Sequence, residues 1–132
     1  MTLYMLDTNT VSHLVKDHPV VAQRLVSVPM ASLCISEVTK GELMFGLARR
    51  PKATRLRLVV QEFLRRVDVL PWDGDVADLY GAVRAQMAVK GRTLAPLDLL
   101  IATHAMIMDA VLVTSDHVFT QVPKLRIEDW TR

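Results

Sequence analysis

Short apolar runs, each too brief to form a helix, alternate along this chain with stretches of helical periodicity. The clearest runs are residues 3–6, 32–35 and 110–114. Residues 68–70 make a weaker one, and 125–127 a short last one. Runs of this length read as strands buried on both faces. Between them lie an irregular helical stretch over 10–16 and a second helix over 20–26, with Pro19 at its first position. Ser36 is placed to cap a helix that continues to about residue 49. Leu56, Val59, Val60, Phe63, Leu64 and Val67 recur at helical spacing, as do Val76, Leu79, Tyr80, Val83 and Met87. Gly91 suits the position just past the end of that helix, and Pro96 opens a last helix to about 108. Strand–helix alternation predicts an α/β fold: a parallel sheet with helices on both faces, a three-layer α/β/α sandwich connected by right-handed crossovers.

A chain of 132 residues suits one domain over 1–132. Its composition, 51% hydrophobic and 23% charged, is that of a globular protein and excludes intrinsic disorder. No apolar window is long enough for a membrane span, and no signal peptide is visible. Cys34 is the only cysteine, so no disulfide staples the monomer. That count fits a cytoplasmic location. The net charge of +2 hides segregation: Arg49, Arg50, Lys52, Arg55 and Arg57 occupy a stretch without acids. It reads either as a solvated face or as a patch for an anion such as a nucleic-acid backbone.

In open α/β sheets, ligands bind beyond the carboxyl ends of the strands. Asp7 follows the first run directly, and Asp116 lies two residues after Thr114. Asp98 sits in a first helical turn behind Pro96, on a face with Ile101, Ala102 and Ala105. Glu42 falls on a helical face with Val38, Gly41, Phe45 and Gly46, which is expected to pack inward, its glycines admitting another backbone closely. Each acid alone has a simpler reading: a helix cap for Asp7, a dipole contact for Asp98, a turn for Asp116, a satisfied buried bond for Glu42. Together they would place like charges at one edge of one sheet, which calls for a cation. Oxygen-only ligands favour Mg²⁺ or Mn²⁺. His13, His18, His104 and His117 are scattered and read as structural or surface residues rather than zinc ligands. Such an ion suits phosphodiester hydrolysis. Arg84 and Arg92 flank the Asp98 segment and are candidates to hold phosphates.

Five segments carry a resemblance: YMLDTNT at 4–10, ISEVTKGELMFG at 35–46, KGRTLAPLDLLIATHA at 90–105, LVTSD at 112–116 and LRIEDW at 125–130. In that order and spacing the chain resembles a PIN-domain ribonuclease, specifically the VapC-type toxin of bacterial toxin–antitoxin pairs. The resemblance implies a PIN-like sheet, a homodimer and an endoribonuclease that cuts single-stranded or loop RNA. A possible substrate is the anticodon loop of initiator tRNA, whose cutting would inhibit translation. It also implies neutralisation by a VapB-type antitoxin, with operator DNA bound only through the antitoxin complex. By position Asp7, Glu42 and Asp98 match the family's acids, and the fourth maps onto Ser115–Asp116. Asp7, Asp98 and Asp116 would hold the Mg²⁺ or Mn²⁺, and Glu42 would ligate it or orient the attacking water. Thr8, Asn9 and Thr114 match supporting positions. Two rivals remain. The DTNT stretch also resembles the nucleophile loop of haloacid-dehalogenase-type phosphatases, although Asn9 stands where their second Asp would be. The chain would otherwise be a non-catalytic subunit of a DNA-binding repressor complex.

Overall fold

The computed structural model describes residues 1–132. Five strands form one parallel sheet: β1 (Tyr4–Leu6), β2 (Leu33–Ser36), β3 (Asp68–Leu70), β4 (Val111–Val113) and β5 (Ile127–Glu128). Their spatial order is β3-β2-β1-β4-β5. Tyr4 lies beside both Leu33 and Val111, so β1 is central. The six helices are α1 (Thr8–Val15), α2 (Pro19–Val26), α3 (Glu37–Ala48), α4 (Thr54–Arg66), α5 (Gly74–Val89) and α6 (Pro96–Ile107).

Alternate strand residues point to opposite faces, and two separate cores result. Met5, Cys34 and Leu112 pack with Val83 and Met87 of α5 and with Leu99, Ile101, Ala102 and Ala105 of α6. Leu6, Leu33, Ile35 and Val113 pack on the other face with Val11, Val21, Leu43, Leu47 and Val60, contributed by α1 to α4. The three-layer α/β/α sandwich expected from the alternation is therefore present. Pro19 stands at the start of α2 and Ser36 caps α3. Gly91, at φ 68°, takes the left-handed conformation just past α5 that glycine enters without strain.

The inward face of α3 corrects the expectation. Thr39, Leu43 and Leu47 are the buried positions. They lie four residues apart and form one stripe, whose leucines meet the core around Val60. Gly41 is exposed and Phe45 is 63% exposed. No atom lies within 4 Å of where a Cβ would stand on Gly41 or Gly46, so neither glycine serves a close approach. The two leucines bury more apolar area than the glycine-bearing face offers, and they set the helix's rotation. Glu42 is thereby left half-buried at the rim of the helix.

The chain runs outward from β1 to β2 and β3, then returns to place β4 on β1's other side. The order reverses between β1 and β4, and a crevice is expected at their carboxyl ends. Asp7 and Thr114 sit at that point.

Candidate functional site

Asp7 is 3% exposed. Its backbone N–H donates to the Val113 carbonyl at 3.1 Å, tying the end of β1 to β4. Its Oδ1 accepts the Thr10 N–H at 2.8 Å and so caps α1. The Thr10 hydroxyl donates to the Val113 carbonyl at 2.9 Å and fixes the same turn. The cap and the convergence of acids thus hold together. Capping fixes the carboxylate's direction, and its remaining capacity faces the other acids.

Thr114, at the end of β4, accepts the Asp116 N–H through its hydroxyl at 3.1 Å and stands beside the Asp7 carboxyl, whose charge it favours. This one buried hydroxyl relates two of the acids. Asp116 is exposed and caps the short 3₁₀ turn 117–121 by accepting from Val118 N–H at 3.0 Å. Thr8 donates its hydroxyl proton to Glu42 Oε1 at 2.6 Å, which joins α1 to α3. Asn9 is exposed and Ser115 half-buried, and neither makes a side-chain hydrogen bond to the acids.

The electrostatics show which carboxylates share one field. Burial pushes the Asp7 carboxyl above its ordinary range; hydrogen bonds from Thr114 and Thr10 pull it back, and Asp116 adds to the rise. Asp98, half-buried in the first turn of α6, is also pushed up by burial, then by Asp116, Glu42 and Asp7 in turn. Asp98 therefore feels the other three acids, and Asp7 feels Asp116, across the carboxyl end of the sheet. As the side chains stand, no three acids, histidines or cysteines close around a single point. They meet at the range of charge repulsion, not of shared ligation. The donor set is oxygen alone, which fits a hard divalent cation.

Arg84 and Arg92 line one pocket of about 200 Å³ with Leu99, the residue after Asp98. Arg84 donates to the Tyr80 hydroxyl at 2.9 Å, which holds the guanidinium over that ring. On the other side, a groove of about 180 Å³ runs past Thr8 and Glu42, floored by Leu43, Leu47, Leu56 and Val60. Arg49, Arg50 and Lys16 line its rim. Of the basic cluster, Arg49 and Arg50 therefore share a groove with Glu42. Arg57 is turned inward by its bond to the Leu47 carbonyl at 3.4 Å.

His104 gave no signal in the sequence beyond a lone histidine on an apolar helix. It is 1% exposed, and its Nδ1 meets the Ser36 hydroxyl at 2.8 Å. Trp72 stands two residues past the end of β3. Its indole N–H donates to the Leu100 carbonyl at 3.0 Å. Pairings between residues so distant in sequence are set by packing and carry no local pattern.

A parallel sheet with carboxylates gathered at its reversal point is the architecture of an acid-lined α/β nuclease domain. Residues 4–125 match the PIN domain, and the chain belongs to the PIN-domain family, on its VapC branch. It is similar to the tRNA(fMet)-specific endonuclease VapC of Shigella flexneri, at 35% identity over 99% of this chain and 100% of that protein. Among solved structures it resembles the DNA-bound VapBC of Salmonella typhimurium, at TM-score 0.91 and 36% identity over 98% of this chain and 99% of that one. It also resembles VapBC2 of Rickettsia felis bound to a promoter DNA fragment, at TM-score 0.90 and 29% identity over 98% and 99%.

Proposed function

We propose that this VapC-type ribonuclease cuts single-stranded or loop RNA with the help of Mg²⁺ or Mn²⁺ held by Asp7, Asp98 and Asp116. Glu42 is a further ligand or the residue that orients the attacking water. The observation that carries this reading is the joint pressure of Asp116, Glu42 and Asp7 on the Asp98 carboxyl. Like charges gathered in this way disfavour their own ionisation unless a cation offsets them. A bound divalent cation supplies that offset, acidifies a water and neutralises phosphate oxygens.

The chain's own residues supply the positioning. Thr8 donates a hydrogen bond to Glu42 Oε1, and the carboxylate's remaining acceptor capacity suits a water. Thr114 holds Asp7 and Asp116 in register. Arg84 and Arg92 line one pocket beside Asp98 and suit the flanking phosphates. In-line attack by water leaves a 3′-hydroxyl and a 5′-phosphate.

The names of the Shigella and Salmonella relatives favour initiator tRNA as the substrate, so that cutting would inhibit translation. The VapBC complexes among the similar structures favour a VapB-type antitoxin as the neutralising partner. An arginine from that partner would be drawn to the acid cluster. We place the chain in the cytoplasm as a homodimer that reaches operator DNA only through the antitoxin. No helix is long and apolar enough to cross a membrane. Neither the phosphatase nor the non-catalytic subunit has an observation in its favour.

The test is cleavage of single-stranded RNA and of initiator tRNA, with Mg²⁺ or Mn²⁺ and with EDTA. The parent should cut only with the cation, and Asp98→Asn should cut at least about 100-fold more slowly. An Asp98→Asn protein as fast as the parent, or undiminished cleavage in EDTA, sinks the assignment.

A further inference from the structure

The acids come from separate elements, and nothing local fixes their spacing. Asp98 stands on α6, and Glu42 on α3. Like charges on two helices do not hold them together, so the placement of α6 rests on anchors elsewhere. Two side chains supply them, both from the carboxyl ends of strands. Ser36 closes β2 and is fully buried. Its hydroxyl accepts the Val38 N–H at 3.1 Å as the cap of α3. It then meets His104 Nδ1 at 2.8 Å, on the second half of α6. Because Val38 already occupies an acceptor site, the hydroxyl proton is free for an unprotonated Nδ1. Burial also disfavours the charged imidazolium.

The second anchor lies one turn earlier on the same helix. Trp72, two residues past β3, donates its indole N–H to the Leu100 carbonyl at 3.0 Å. Leu100 is two residues beyond Asp98. Tyr80 of α5 packs against the Trp72 ring at a 73° angle, with centroids 6.1 Å apart, and so braces the donor. One helix is thus fastened at two points to two neighbouring strands, with Asp98 at its start.

We propose that Trp72 and His104 are positioning residues, which clamp α6 so that Asp98 faces Asp7, Glu42 and Asp116 and thereby set the chain's affinity for its divalent cation. Neither touches the reacting atoms. The clamp rests on Asp98 being a ligand, as stated above. A purely structural role would lower thermal stability and leave cation affinity unchanged. A positioning role loosens cation binding by a factor of about ten, as for other residues that orient a metal's ligands.

Trp72→Phe removes the N–H donor and keeps an aromatic ring. His104→Leu removes the acceptor while leaving the Ser36 cap in place, and His104→Asn returns a polar atom near the Nδ1 position. Each full-length variant and the parent would be titrated with Mn²⁺ by calorimetry, melted in EDTA, and assayed for RNA cleavage across Mg²⁺ concentrations. Trp72→Phe and His104→Leu should bind Mn²⁺ about tenfold more weakly and need correspondingly more Mg²⁺ for half-maximal cleavage, with kcat at saturating Mg²⁺ within about twofold of the parent. His104→Asn should recover most of the affinity. Parent-like Mn²⁺ affinity in both Trp72→Phe and His104→Leu, whatever their melting temperatures, overturns the clamp and leaves the metal reading standing. A parent that binds no Mn²⁺ overturns that reading and the clamp with it.

Discussion

Asp7 is a single residue with two duties, and they conflict energetically. Its cap on α1 stabilises the fold, while its burial beside Asp116 costs stability whenever it is ionised. The folded carboxyl titrates above the ordinary value of 3.8, because burial outweighs the bonds from Thr114 and Thr10. A raised value means that stability is full below the unfolded value and is lost as pH rises through the folded one. At pH 7 the ionised form therefore costs the cation-free protein stability. Asn is as good a cap as Asp and carries no charge. Asp7→Asn should thus melt higher than the parent in EDTA at neutral pH, by on the order of a few degrees. Added Mn²⁺ should raise the parent's melting temperature and leave the variant's nearly unchanged, because a ligand stabilises only the state that binds it. Scanning calorimetry reads both, and a lower melting point for the variant in EDTA would show that the cap needs the charge. Asp7, Asp98 and Asp116 stood out in the sequence because they follow apolar runs or open a helix, whereas Glu42 was singled out from a face of α3 that does not pack inward as expected. The bond of Glu42 to Thr8 and the placing of Thr114 beside Asp7 were not legible there, because each joins residues from different elements.

Among the elements, α3 departs most from its reading. Its apolar and small residues nearly encircle the helix, so periodicity alone offers two faces. Burial chose the stripe through Thr39, Leu43 and Leu47, and Phe45 went outward, where Arg49 lies 5.5 Å from its ring centre. Leu43→Ala should then cost about 2–5 kcal/mol in unfolding free energy. Phe45→Ala should cost under about 1 kcal/mol, as for a surface change. Urea denaturation of the two variants separates the faces, and equal losses would contradict the packing described. The other elements follow their patterns closely, because caps and breakers mark their ends. Ser36, Asp73 and Pro96 open helices, and Gly91 closes one. Only α1 begins earlier than expected, at Thr8 and not Thr10, because Asp7 itself is the cap.

For the whole molecule, the small net charge is the sum of opposed local fields. Acids gather where the strand order reverses. Arg84 and Arg92 line a pocket that reaches Leu99, the neighbour of Asp98, and Arg49 and Arg50 share a groove with Glu42. RNA would be drawn by the basic flanks and cut between them. Binding measured with the inactive Asp98→Asn protein should weaken steeply with salt. Adding Arg92→Ala should lower the slope of log affinity against log salt by about one. An unchanged slope would remove Arg92 from the phosphate path. The sequence by itself determined the layered α/β/α fold and put Asp7 and Asp116 just past strands and Asp98 in the first turn of a helix. These follow from short-range patterns: apolar run length, caps, and the position of a carboxylate within its element. The tertiary structure decided which way α3 turned, that Arg49 and Arg50 share a groove with Glu42, and that Ser36, Trp72 and His104 fasten α6. Those outcomes depend on volumes and hydrogen-bond partners brought together from far along the chain, and no local spacing encodes them.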